Sequence, residues 1–465
     1  MSAIKQVSWS ATSSIGGSLL DIIKIVVFTK FIVPEEFATF AIALVVLGFC
    51  QIFSEGGIGN AIVSKKDISP RQVGHIFNFS ILISLFLCFL VFLLMPLILK
   101  AYPLEKLGPV IYLSVLSLPF ASAGRILQAL LQKNMKIIVI AKVNLFVKLI
   151  SLFSGFFALK LGYGLYALPI SICTLSLFNL IFCVLLSKKY IQYTKFIHWL
   201  EVKPILSFSI YQLGEFFLNF CTRNMDILLI TKFLGAEIAG VYSVSKNLLM
   251  RVGDVIVSTF SRYFHPVLAK FQDVKLKLVP NYFSYFKLVV LFVCISYFFV
   301  ATNSALFVEY ALGENFTYAQ ALFPYLCFWL CIRFCTAPVA TLWLIKQKPQ
   351  IGVYWNVIGV FLTYFMIHFT FEYGIEFVIF ALASSQFVLL SSSIILAGSL
   401  LEARLEVFKT LASYITILFI TLNLIFLMFI WLKAHWVMSL FGSITLVFIT
   451  IVYLYLNRNK YLGNS

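Results

Sequence analysis

The chain has 465 residues, of which 62% are hydrophobic and only 11% charged, with a formal net charge of +17. A soluble domain is roughly 45–50% apolar and 25% charged, so a water-soluble globular fold is excluded. Apolar runs of about 20 residues, enough to cross a bilayer core, recur along the chain; they are continuous rather than alternating, which excludes a transmembrane β-barrel.

In chain order these runs predict about fourteen transmembrane helices, near 8–30, 37–61, 75–99, 108–132, 137–159, 164–187, 205–232, 239–261, 281–303, 317–345, 350–371, 375–399, 409–431 and 435–457. The fold class expected is an all-α polytopic membrane protein. Met1–Ser8 is short and the first apolar run is full-length without a convincing cleavage site, so no removable signal peptide is expected. No gap between helices is long enough for a soluble domain.

The positive charge has a pattern. Lys65, Lys66 and Arg71, then Lys133 and Lys136, Lys188, Lys189 and Lys195, Arg262 and Lys270, Lys346 and Lys348, and Arg404 and Lys409 occupy every second loop. The alternate loops hold only Lys30, Lys100, Lys106, Lys160, Lys232 and Lys433 beside acids such as Glu35, Glu36, Glu314 and Glu376. This is the positive-inside asymmetry, and it explains the net charge without nucleic acid. Both termini are expected in the cytoplasm, which requires an even number of helices.

The chain also repeats itself. "IVVFTKFIVPEEFATFAIA" at 25–43 and "ILLITKFLGAEIAGVYSVS" at 227–245 share Thr-Lys-Phe, 202 residues apart, at the ends of the first and seventh helices. Lys136, Asn144 and Gly162 recur 212 residues on as Lys348, Asn356 and Gly374. Two six-helix lobes related by a parallel repeat are expected, a transporter signature. They are an N-lobe over 1–190, a cytoplasmic linker over 191–204 and a C-lobe over 205–400, with helices 13–14 and a tail over 401–465.

At the 202 offset Asp21 maps onto Arg223 and Lys24 onto Asp226. Residues three apart share a helix face. These four therefore read either as an inter-lobe gate, Asp21 with Arg223 and Lys24 with Asp226, or as two local i, i+3 pairs.

Fourteen ionisable residues fall inside predicted helices. Nine are basic (Lys24, Arg125, Lys142, Lys148, Arg223, Lys246, Arg251, Lys287, Arg333) and five acidic (Asp21, Glu55, Glu215, Asp226, Asp254). Each would cost about 2.5–3.5 kcal/mol facing lipid at a helix centre, so most must pair or line a watery cavity. The surplus of cations suits an anionic cargo, with the planar fork of arginine matched to phosphate. Arg125, Lys142, Lys148, Arg223, Arg251 and Arg333 are the candidate substrate-binding residues. Lys142 and Lys148, six apart, are not expected to point the same way. Glu55, Glu215 and Asp254 are candidate proton or sodium sites; no other cofactor is expected. Glu55 precedes the glycine-rich "GGIGNA", which permits close packing or bending.

All nine cysteines lie within predicted helices, so no disulfide framework is indicated. Cys327, Cys331 and Cys335 form an i, i+4, i+8 stripe that a soft metal would suit, but small apolar packing is the preferred reading. The sequence holds no Walker A, H-E-x-x-H or G-x-S-x-G motif, so no catalytic residues are assigned.

The stretch "FTKFIVPEEFATFAIALVVLGFCQIFSEGGIGNAIVSKKDIS" resembles the opening of Wzx-type polysaccharide or O-antigen repeat-unit flippases, of the multidrug/oligosaccharidyl-lipid/polysaccharide exporter superfamily. The resemblance rests on Pro34, Glu35, Glu36 and Phe37 after the first helix, and on Gly56, Gly57, Gly59 and Ala61 before Lys65 and Lys66. It implies two six-helix lobes around a cationic cavity, alternating access, and a cargo of oligosaccharide on undecaprenyl diphosphate. That cargo would move from the cytoplasmic to the periplasmic leaflet of a bacterial inner membrane for surface polysaccharide or lipopolysaccharide synthesis. It also implies membrane lipids, polymerase and chain-length regulator proteins as partners, and no nucleic acid. The alternatives are a lipid II flippase, a drug exporter of the same superfamily, and a membrane polysaccharide polymerase, whose external catalytic loop the short, mostly acidic external segments do not supply.

Overall fold

The structure is a computed structural model that describes residues 3–65, 68–348 and 350–402. The described residues form helices without strands, and the predicted helices at 409–431 and 435–457 lie outside them. By compactness the chain divides into two units, Met1–Ser243 and Val244–Ser465.

The first unit starts with α1 (Ala3–Thr29), α2 (Pro34–Glu55), α3 (Ile58–Ser64) and α4 (Pro70–Ala101). It continues with α5 (Leu107–Val115), α6 (Leu118–Lys133), α7 (Ile137–Lys160), α8 (Ala167–Ser187), α9 (Trp199–Leu234) and the first turns of α10 (Ala236–Lys270). Helix starts follow local chemistry. Pro34 occupies the first turn of α2, where its missing N–H costs nothing, and Glu35 and Glu36 face the positive end of the helix dipole. Ser69 caps α4 by accepting from the Gln72 amide at 3.0 Å, again with Pro70 in the first turn.

Two predicted helices of this unit are each broken in two. The run at 37–61 splits because Gly56 and Gly57 adopt φ of 38° and 76°, a left-handed backbone that stops α2 and restarts the chain as α3. The run at 108–132 splits at Leu116–Ser117, just ahead of Pro119, which cannot donate to the preceding turn. Helix α1 packs on α7, α2 on α5 and α9, and α6 on α4 and α8. The buried face of α2 carries Ala38, Ala41 and Ala43. Small residues let membrane helices approach, because lipid supplies no hydrophobic drive for helix pairing.

The second unit contains the rest of α10, α11 (Lys275–Thr302), α12 (Ser304–Phe307), α13 (Ala319–Cys335), α14 (Ala337–Ile345), α15 (Gln350–Thr370) and α16 (Ile375–Leu400). The predicted 317–345 helix also breaks, at Thr336, with Pro338 in the next turn. Here α13 packs on α11 and α16, and α16 on α14 and α15.

The repeat is visible in backbone detail. Met135 and Gln347, 212 residues apart, both turn left-handed, with φ of 56° and 55°. Gly162 and Gly374 do the same at 85° and 95°. The amide of Lys136 bonds Leu131 O, and the amide of Lys348 bonds Trp343 O, again 212 residues on. The fourth helical span of each half is 27 residues long, Leu107–Lys133 and Ala319–Ile345.

Ten described spans are long and apolar enough to cross a membrane. Helices α9 and α10, of 36 and 35 residues, are long enough at 1.5 Å per residue. They fall short in apolarity because they carry Glu215, Arg223 and Asp226, and Lys246, Arg251 and Asp254.

Candidate functional site

In the first unit the charges of α1 meet those of α7. The Lys148 ammonium donates to the Asp21 carboxylate at 2.8 Å and to the Gly17 carbonyl at 3.0 Å. The two side chains keep 30% and 23% of their exposure, so the pair is shielded without being dry. Two turns earlier Ser13 Oγ donates to Ala141 O at 3.0 Å, and Lys142 Nζ lies 5.2 Å from the centre of the Trp9 ring. Both lysines of α7 therefore reach α1, Lys142 from an exposed position and Lys148 from a half-buried one. Lys24 sits half-buried with its ammonium 5.8 Å from the Phe28 ring. Lys148 is thus a partner for Asp21 that neither the gate nor the local-pair reading named.

The second pair lies at the break in the second span. Arg125 Nε on α6 stands 3.4 Å from Glu55 Oε1 at the last residue of α2. The distance makes an ion pair without a hydrogen bond. The Glu55 side chain is 21% exposed and that of Arg125 59%. Just above it, Gln128 of α6 donates to Asn144 of α7 at 2.9 Å and to Asn179 of α8 at 2.8 Å. Charge counting overlooks this amide cluster; its signal was the presence of neutral amides inside apolar runs.

On α9, Asp226 is only 2% exposed and accepts the Tyr242 hydroxyl of α10 at 2.5 Å, a short charge-assisted bond. Arg223, one turn earlier, and Glu215 are half-buried. Near the opposite loops, Lys106 donates to Glu36 at 2.7 Å, which raises the Lys106 pKa above its ordinary value.

Within the second unit, Lys246 of α10 is 3% exposed, its ammonium 5.8 Å from the Trp329 ring of α13. Arg251 and Asp254 follow on α10, and Arg333 lies one turn beyond Trp329; all three are half-buried. The cysteine stripe places Cys331 and Cys335 beside Cys294 of α11, with the three sulfurs within 4.8 Å of one another. The Cys331 thiol donates to Cys294 Sγ at 3.4 Å. At the loop end of this unit Tyr318 donates to Glu376 at 2.6 Å, and burial, then that carboxylate, push its phenol up to about 12.

The arrangement holds charge inside membrane helices. Comparison with known proteins places the chain by family and fold. It is 25% identical over 383 residues to an uncharacterized membrane protein in the cps region of Klebsiella pneumoniae, covering 80% of this chain and 76% of that one. It is 24% identical over 365 residues to the lipopolysaccharide biosynthesis protein WzxC of Escherichia coli K12, covering 77% and 73%. Among solved structures it matches lipid II flippase MurJ in an inward closed conformation, with a TM-score of 0.71, 15% identity, and coverage of 96% of this chain and 99% of that one. The eukaryotic MATE transporter AtDTX14 matches with a TM-score of 0.55, 13% identity and coverage of 89% and 98%. The two structural likenesses show that the chain shares their all-helical fold. The family model for polysaccharide biosynthesis proteins matches residues 27–321, and the chain belongs to that family.

Proposed function

We propose that the protein is a transporter, not an enzyme, and that it moves oligosaccharide repeat units carried on undecaprenyl diphosphate from the cytoplasmic to the periplasmic leaflet of a bacterial inner membrane. The observation that carries this reading is Arg125, an arginine within a membrane-spanning segment whose side chain stays 59% exposed beside a single carboxylate. A cation so placed costs energy unless an anion uses it, and a diphosphate accepts the guanidinium fork in two bonds. Lys142, Lys148 and Arg223 of the first unit, and Arg251 and Arg333 of the second, are the other cations proposed to bind substrate.

In this account the lobes are 1–190 and 205–400, joined by 191–204, and both termini face the cytoplasm, as the alternation of basic loops supports. Asp21, Lys24, Arg223 and Asp226 act as the gate, their exchange of sign across the repeat supporting the assignment. Glu55, Glu215 and Asp254 are the coupling sites for a proton or sodium ion. Polymerase and chain-length regulator proteins are the proposed partners downstream. The relatives' names favour this over a drug exporter, whose cationic cargo would call for a surplus of acids.

The test is binding of undecaprenyl diphosphate to the purified protein. Arg125→Gln is expected to weaken binding about tenfold, the worth of roughly 1.4 kcal/mol in charge-assisted hydrogen bonds, with Arg125→Lys intermediate. Unchanged affinity in both variants would remove Arg125 from the site.

A further inference from the structure

The segment 188–201, which links α8 to α9 and includes the first turn of α9, is docked on the end of α4 by its backbone. Gln72 donates to Glu201 O at 2.7 Å, Asn78 donates to Thr194 O at 2.6 Å, and His75 Nδ1 lies 2.8 Å from Phe196 O. The Gln192 amide bonds Pro70 O at 3.0 Å. A methyl group at Gly74 would lie 2.1 Å from Gln192 O, so the strap rests directly on the helix backbone. Ile191, Val202 and Ile205 then turn inward, at 7% exposure or less, into a core with Ile62, Val73 and Leu130.

With the backbone held by polar groups and the aliphatics turned in, a distinct outer face remains. Phe196 is 82% exposed, Leu200 72%, Trp199 54% and Tyr193 48%. Tyr193 and Trp199 tile onto Phe77 and Phe79 of α4 at 5.6 and 5.9 Å between ring centres. Lys188, Lys189, Lys195 and Lys203 are exposed among them. Large aromatics and basic residues at the end of membrane spans form the composition that seats at headgroup level. A cytosolic face would not leave four large apolar side chains so bare.

From this face we infer that the strap is a binding surface for anionic phospholipid headgroups of the cytoplasmic leaflet. The aromatics enter the interface, the lysines take the phosphates, and the polar end of α4 fixes the strap from behind. Its leaflet rests on the orientation proposed above; its affinity for anionic lipid does not.

The wild-type protein tests this in nanodiscs of phosphatidylcholine with phosphatidylglycerol as the minor component, with either lipid carrying a photoreactive headgroup. Peptide mass spectrometry then maps labelled residues. Labelling of 188–203 by the phosphatidylglycerol probe is expected to exceed that by the phosphatidylcholine probe by at least about fivefold, the worth of one interfacial lysine. The variant K188Q/K189Q/K195Q is expected to bring the two probes to parity, as is high salt. Equal labelling of the wild-type strap by both probes, or a preference that survives loss of the three lysines, overturns the inference. So does labelling by neither, which would assign the face to a protein. None of these outcomes depends on transport, so the inference and the flippase reading fail separately.

Discussion

Removing either member of the Asp21–Lys148 pair strands a charge between α1 and α7. At 2.8 Å the gross attraction is about 6 kcal/mol at an effective dielectric of 20. Desolvation and the cost of ordering a long lysine take back most of that, and both side chains keep a quarter or so of their exposure, which lets water screen the pair. A coupling energy of about 1–3 kcal/mol is left. Asp21→Asn and Lys148→Met are each expected to lower the melting temperature in detergent, by roughly 1 °C for every kcal/mol in a chain of this length. The double variant is expected to lose much less than the sum, because neither charge is then stranded. A double-mutant cycle measured by thermal unfolding reads the coupling directly. Strictly additive losses would refute the reasoning, showing that water or other groups, not each other, satisfy the two charges.

Four further outcomes follow from the structure. A methyl group at Gly240 would lie 1.7 Å from the Pro34 carbonyl where α10 crosses the start of α2, so Gly240→Ala is expected to cost more than about 3 kcal/mol and to reduce the folded yield sharply, as read by size-exclusion of a fluorescent fusion. Gln128→Leu leaves two half-buried amides without their donor and is expected to cost about 1–2 kcal/mol in thermal unfolding, whereas Gln128→Leu with Asn144→Leu and Asn179→Leu recovers part of it. Tyr318→Phe removes the bond to Glu376 and is expected to destabilise by less than about 1 kcal/mol at neutral pH, since the contact is exposed. The phenol's folded pKa is raised from 10 to about 12, so this contribution is complete below pH 10 and is lost as pH rises towards 12; wild type and variant should converge there. Glu55→Gln removes the counter-charge of Arg125 and is expected to tighten binding of undecaprenyl diphosphate by a few-fold while lowering the melting temperature.

Much of the architecture was legible because its causes are local. Continuous apolar runs predict spans, and their ends were placed within a few residues wherever a proline, a glycine or a charge cluster marks the boundary, as at Pro34, Pro70 and Gly374. The repeat was legible from three matched residues and proved to extend to matched backbone angles. What escaped was the breaking of spans. Gly56–Gly57, Pro119 and Pro338 were all visible, yet a hydropathy run remains continuous across a break because both fragments are apolar. The charges were found as a set, but not their partners. Asp21 meets Lys148, 127 residues away, and Asp226 meets the hydroxyl of Tyr242; such pairings depend on which helices pack together, and periodicity within one helix does not report that. Most of the strap fell in the stretch 191–204 that read as a linker, because its anchors, Gln72, His75 and Asn78, are contributed by a different helix.

The central claim is that this chain carries lipid-linked sugar across the membrane. Its most direct test counts repeat units on their carrier, leaflet by leaflet, in cells depleted of the protein, together with polysaccharide at the cell surface. The account predicts that single units accumulate on the cytoplasmic face while surface polymer disappears, and that Arg125→Gln reproduces this in part. Single units that reach the periplasmic face and stay unpolymerised would contradict it and identify a polymerase instead.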